Sequence, residues 1–206
     1  MAAIFLASEL IARGVDTFSF VAPLMSEVFH TASSRYPSSV SEKFDGFEIR
    51  PATPEDISAI QQLIVDLAVY EKEPDAVEGS ESDLERELFG SNPVAHCHVA
   101  EVDGEVVGVA LWFLNYSTWK ASAGIYLEDL FVQPSQRGKG IGLALIRTLA
   151  KLCVERGYPR FQWWVLDWNQ SAIDFYTRLG AVAMDEWTTF RLTGDALTAF
   201  AQGEGN

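Results

Sequence analysis

The stretch Ile125–Arg156, IYLEDLFVQPSQRGKGIGLALIRTLAKLCVER, changes character in its middle. From Gly124 to Val132 it reads as a strand of aromatic and branched apolar residues, which Pro134 ends. From Ile141 onward, Leu145, Leu149 and Leu152 recur at helical spacing to about Arg156, and Gly157 follows as a stop. Between the two lies Arg137-Gly138-Lys139-Gly140-Ile141-Gly142, with glycines at alternate positions and two cations. Glycine lets backbone approach a ligand closely, and a helix start presents N–H groups that carry a partial positive charge. A strand, a glycine loop and a helix in this order make a seat for an anion. The loop is not of the Walker type, since no Gly-Lys-Ser/Thr is present, and it lacks the G-x-G-x-x-G spacing. A plain helix-entry turn with solvated cations is the alternative.

Working outward toward the N-terminus, HCHVAEVDGEVVGVALWFLNY holds two strands around the hairpin signal Asp103-Gly104. Before it, Thr53 is placed as a helix N-cap, with Pro54 in the first turn and Asp56 three residues on, followed by Ile57, Ile60, Ile64 and Leu67 at helical spacing. A second capping box, Ser82 to Glu85, opens a short helix that Gly90 closes. FEIRPA at 47–52 is the first strand signal, and residues 1–46 read as a helical extension and linker. Toward the C-terminus, RFQWWVL at 160–166 reads as a strand, NQSAIDFYTRLGA at 169–181 as a short helix and EWTTFRLT at 186–193 as a final strand. The expected domain covers 47–206 and is of mixed α/β class, with a central sheet flanked by helices.

Composition narrows the function. The chain has 206 residues, 48% of them hydrophobic and 12% aromatic, as in a globular protein. A net charge of −14 argues against nucleic acid, whose affinity comes from clustered Lys and Arg. No apolar run reaches the roughly 18 residues of a membrane span. The opening MAAIFLASEL has no cationic start and is interrupted by Glu9, and Cys97 and Cys153 make no disulfide framework, so a cytoplasmic protein is expected. Between Glu55 and Glu105 the only basic side chains besides histidine are Lys72 and Arg86 in an otherwise acidic segment, whereas 137–160 is cationic with Glu155 its only acid. Beside the plain reading of solvated charges, this suggests an anion subsite and a cation subsite. His96 and His98 share a strand face, but no third ligand accompanies them, so no metal is expected. Both cysteines lie in apolar patterns and read as buried thiols, and Trp163, Trp164 and Trp168 read as core and pocket wall.

Arg137, Gly140 and Gly142 fit the R/Q-x-x-G-x-G/A pattern, and Asn169, Ala172, Phe175, Tyr176, Gly180 and Ala181 fit N-x-x-A-x-x-F-Y-x-x-x-G-[FA]. In this order the two motifs resemble the GNAT superfamily of N-acetyltransferases. IRPAT, HCHVAEV, YLEDLFV, RGKGIG and WNQSAIDFYTRLGA together resemble its spermidine/spermine (diamine) acetyltransferase-like branch over about 47–193. One departure concerns Trp119: polyamine-acetylating relatives have Asp-Pro-Trp where this chain has Ser117-Thr118-Trp119, with a spacing to Glu128 one residue longer.

The resemblance implies the GNAT fold and acetyl-CoA, held by the strand backbone at Leu130, Phe131 and Val132 and by the loop Arg137, Gly138, Lys139, Gly140, Ile141 and Gly142. It implies Asn169 on the pantetheine arm, unless Asn169 serves only as a helix cap. Tyr176 becomes the proton donor to the departing thiolate, since a phenol of pKa about 10 can protonate it at little cost. Glu128 becomes the acceptor of the amine proton, directly or through water, and Asp129, Trp119, Glu71 and Glu73 the substrate side. Glu128 and Asp129 are expected on opposite faces of their strand, where a structural ion pair is the other role open to each. The expected activity is acetylation of a small cationic amine by a homodimer. A protein N-terminus or lysine as acceptor, or an acyl-CoA-binding module without turnover, are the competing readings.

Overall fold

The computed structural model describes residues 41–203, in two compact units that divide between Trp163 and Trp164. The helical patches expected before residue 41 lie outside the described residues. The first unit is a six-stranded sheet in sequential order, β1 (Glu42–Phe44), β2 (Phe47–Pro51), β3 (His96–Val102), β4 (Glu105–Ser117), β5 (Ser122–Val132) and β6 (Phe161–Trp163). Neighbours run antiparallel except β5 and β6, which are parallel. A parallel pair needs a crossover, here supplied by α3 (Ile141–Glu155). The helices α1 (Ile57–Tyr70) and α2 (Glu81–Phe89) connect β2 to β3.

The elements form where local chemistry asks for them. Asp103 and Gly104 both take positive φ, as a two-residue hairpin turn between β3 and β4 demands. Thr53 and Asp56 cap the entry to α1: the Asp56 carboxylate accepts from the Thr53 N–H at 2.8 Å. Asp56 is buried, and Arg50 offsets that cost with two bonds of 2.7 and 2.9 Å while also donating to Glu101 at 2.9 Å. This network pins β2 to the turn before α1 and to β3. The apolar face of α1 (Ile57, Ile60, Leu63) packs with Leu88 of α2 on Cys97, Val99, Val109, Leu111 and Phe131. Each such side chain fully buried is worth about 1.5–3 kcal/mol. The alternate residues face α3: Val132 lies against Gly108 and 3.9 Å from where a Cβ of Gly142 would stand.

Several expectations need correction. Residues 42–44, assigned to the linker, form a strand that pairs with β2 across Asp45-Gly46. The second capping box sits two residues earlier: Ser80 accepts from the Asp83 N–H at 3.2 Å, and Asp83 accepts from the Ser80 N–H at 3.1 Å. Gly90 ends α2 as expected, without positive φ; a Cβ there would lie 2.4 Å from the Arg86 carbonyl oxygen. The strand expected over 160–166 is paired only at 161–163.

The second unit contains α4 (Gln170–Arg178) and α5 (Gly194–Ala201). Asn169 caps α4, its Oδ1 accepting from the Ala172 N–H at 3.3 Å. Gly180, at φ +86, follows the helix, and the next amide, Ala181, returns to the Tyr176 carbonyl. The expected strand 186–193 is not formed: the alternating pattern is present, but the segment makes no ladder, and Trp187 and Phe190 are exposed.

Candidate active site

The glycine loop follows the end of β5. After Val132 the chain makes one 3-10 turn, Pro134–Gln136, and enters the glycine loop. Gly138 and Gly140 adopt φ of +80° and +85°, which side chains rarely tolerate, and no atom lies within 4 Å of where either Cβ would be. Gly140 is the N-cap of α3, with no side-chain cap. The first bond of the helix is Ala144 N–H to Gly140 carbonyl at 2.9 Å, so the amides of Ile141, Gly142 and Leu143 begin the helix without intrahelical acceptors. An open cradle, a helix start and Lys139 beside it suit the pyrophosphate of a coenzyme A group. Lys139 is exposed and donates to Gln136 at 2.6 Å. Arg137 is tied inward, its Nε donating to the Val132 carbonyl at 2.9 Å.

An acidic cluster lies near the same strand end, and a bulge shapes it. Leu111 pairs with Asp129 and Trp112 with Leu127, so Glu128 is an extra residue in β5. The strict alternation expected for Glu128 and Asp129 is therefore broken. Glu128 is exposed, while Asp129 shares the row of Cys97 and Leu111 on the α1 face. Burial, then Glu128 and Glu71, push the Asp129 carboxyl up to about 6. Burial also raises Glu71, the C-cap residue of α1. Anions that destabilise one another in a partly dry site would be relieved by a cation beside them. Glu73 is exposed just beyond, and Trp119 is 87% exposed in the β4–β5 connection. Leu130, Phe131 and Val132 follow Asp129 along the strand, so Asp129 and the approach to the glycine loop share one strand end.

Other acidic residues of the segment are elsewhere. Glu81 and Glu85 line a cavity of about 530 Å³ with Glu55, Ser58, Ser80 and Ser82, at the start of α1; Glu71 closes the other end of that helix, about 20 Å away by its rise. His98 is buried and accepts from the Trp112 indole N–H at 3.1 Å, and burial lowers its pKa to about 4. The pair reads as core, and among the described residues no group of three possible ligands gathers for a metal. Both cysteines are buried with thiols pushed up by burial. Trp164 and Trp168 are exposed rather than core. Asn169 and Tyr176 belong to the second unit, where the partly buried Tyr176 ring lies 5.3 Å from that of Phe175. Sequence reasoning missed Tyr70, whose ring stands 4.9 Å from the Arg137 guanidinium carbon. Its place as the last residue of an amphipathic helix, directly before Glu71, was the available signal.

A family model described as the acetyltransferase (GNAT) family matches residues 60–181, and the chain belongs to that family; it is an N-acetyltransferase. It is 42% identical over 164 residues to the thialysine N-epsilon-acetyltransferase of Sus scrofa, covering 74% of this chain and 96% of the relative. It is 33% identical to the L-ornithine N5-acetyltransferase of Arabidopsis thaliana, covering 73% and 86%. These relatives, with the human spermidine/spermine N(1)-acetyltransferase-like protein 1, bear out the resemblance to the diamine acetyltransferase-like branch. Among solved structures, an integron cassette protein of V. cholerae superposes with a TM-score of 0.66 at 28% identity, covering 76% of this chain and 98% of that one. The GNAT fold is thereby established.

Proposed function

We propose that the protein transfers the acetyl group of acetyl-CoA to the primary amine of a small dicationic substrate, a short diamine or an amino acid of the thialysine or ornithine type. The observation that carries this is the meeting, at the end of β5, of the open glycine cradle with the half-buried Asp129 and Glu71 carboxylates. The names of the relatives support the same substrate class.

The backbone of Leu130, Phe131 and Val132 would hold the pantetheine arm and the amides of 138–142 with Lys139 the pyrophosphate, while Asn169 and Tyr176 are assigned to the reaction by the family motif they match. Acetyl-CoA, when bound, supplies the activated acetyl thioester. Asp129 and Glu71 hold the ammonium that does not react, with Glu73 exposed just beyond them; Trp119, expected on the substrate side, lies beyond the other end of β5, roughly 20 Å along the strand from Asp129, and takes no part in this arrangement. Glu128, on the bulge and in contact with solvent, accepts the proton of the reacting ammonium through water, so the amine becomes a nucleophile. Tyr176 holds the proton at its Oη that the departing thiol requires. Backbone N–H groups near Leu130 and Val132 polarise the carbonyl. The buried thiols suit a cytoplasmic protein. A homodimer fits the resemblance and the exposed Trp187, Phe190 and Phe200; a monomeric mass by light scattering at micromolar concentration would contradict it.

The test is thiol release from acetyl-CoA with a panel of diamines, basic amino acids, monoamines and lysine peptides. Turnover of the first two groups above the rest is expected. Preference for peptides would move the acceptor to protein, and no turnover with any amine would leave a binding module.

A further inference from the structure

Arg137 stands where three elements meet. Its N–H closes the turn on the Pro134 carbonyl at 3.3 Å, and the glycine loop starts with the next residue. Its Nε donates to Val132, the last residue of β5, at 2.9 Å. Its guanidinium carbon lies 4.9 Å from the centroid of the Tyr70 ring and 5.3 Å from that of Phe131. Phe131 is buried on the α1 face and Tyr70 is the last residue of α1. Glu71 and Glu73, directly after it, bond back to the carbonyls of Leu67 and Ala68 at 2.8 and 2.9 Å. A planar guanidinium can face two rings and keep one N–H on a carbonyl, an arrangement a lysine ammonium does not reproduce. A cation that served only a phosphate would need none of these contacts.

We propose that Arg137 is a positioning residue that ties the end of α1, and with it Glu71, to the exit of β5 and the start of the glycine loop, holding the donor and acceptor halves of the site in register through one side chain. The meaning of the two halves rests on the acetyl-transfer reading; the tie itself does not. A phosphate-binding cation acts on acetyl-CoA affinity alone. A tie acts on the amine side too, and Tyr70, which has no cation to offer a phosphate, shares the effect.

Three variants separate the possibilities: Arg137→Met, which keeps the aliphatic stem, Tyr70→Leu, which removes the ring, and Tyr70→Phe, which keeps it. Hydrogen exchange of the ligand-free proteins is read at the amides of Glu71 and Glu73. Exchange at least about fivefold faster is expected in Arg137→Met and Tyr70→Leu, and at the parental rate in Tyr70→Phe. In thiol-release kinetics, Tyr70→Leu should raise the amine KM at least about fivefold with the acetyl-CoA Kd within about threefold, and Tyr70→Phe should restore the parental KM. Unchanged exchange at 71–73 in both Arg137→Met and Tyr70→Leu overturns the proposal, as does a Tyr70→Phe variant no better than Tyr70→Leu. Faster exchange with an unchanged amine KM overturns the link to the acceptor side. If no amine is turned over by the parent, the acetyl-transfer reading falls and the exchange result decides the tie by itself.

Discussion

Replacing Asp129 by asparagine should stabilise the protein while weakening its hold on the amine, and the gain should grow with pH. The carboxyl moves from an ordinary 3.8 to about 6 through burial and the neighbouring Glu128 and Glu71. Between those two values the folded state holds the proton more tightly than the unfolded chain, so ionisation costs stability as pH rises and the cost is complete above about 6. At about 1.4 kcal/mol per tenfold, the penalty is about 1.6 kcal/mol at pH 5 and about 3 kcal/mol at pH 8. Some water reaches the carboxyl, so about half of each figure survives. Asparagine keeps the shape and removes the charge. Urea unfolding at the two pH values should find Asp129→Asn more stable than the parent, with the advantage at pH 8 exceeding that at pH 5 by about 0.7–1.4 kcal/mol at unchanged m. The same variant should raise the KM for a diamine at least about tenfold. An advantage independent of pH, or a variant less stable than the parent at pH 8, would refute the argument that Asp129 is held in a destabilised anionic cluster.

Gly140→Asp should lose about 1 kcal/mol of stability from its φ of +85°, since no neighbour is struck, yet weaken acetyl-CoA binding by at least about tenfold because the new carboxylate fills the cradle; calorimetry with unchanged affinity would sink the anion seat. Tyr176→Phe should keep acetyl-CoA affinity and lower kcat by on the order of 10², and turnover within about threefold of the parent would require another proton donor. Arg50→Met leaves the buried Asp56 carboxylate without its bidentate partner and should cost about 3 kcal/mol in chemical unfolding, a loss below about 1 kcal/mol showing that the network contributes little.

Much of this was legible because it is local. The glycine loop, the capping of α1 by Thr53 and Asp56 and the Asp103-Gly104 turn depend on residues a few positions apart. The second capping box was misplaced because GSESDLE offers both Ser80-x-x-Asp83 and Ser82-x-x-Glu85, and only the folded chain shows Asp83 reaching back to Ser80. The bulge at Glu128 was out of reach. It is set by the partner strand, which places Leu111 opposite Asp129 and Trp112 opposite Leu127, and no pattern within YLEDLFV encodes that. Nor does the alternation of EWTTFRLT make a strand, since a strand also requires a neighbour to pair with. Arg137 was read as a phosphate ligand from its motif; its packing on Tyr70 links positions far apart in the chain and became visible only in three dimensions.

On the proposed function, Asp129 and Glu71 direct acetyl transfer to a dication. The most direct measurement compares kcat/KM for a short diamine with that for a monoamine of equal chain length, by thiol release from acetyl-CoA at low and at high salt. The diamine should lead by at least about tenfold at low salt, and added salt should raise its KM more than that of the monoamine. Equal kcat/KM for the two amines, unaffected by salt, would contradict that proposal.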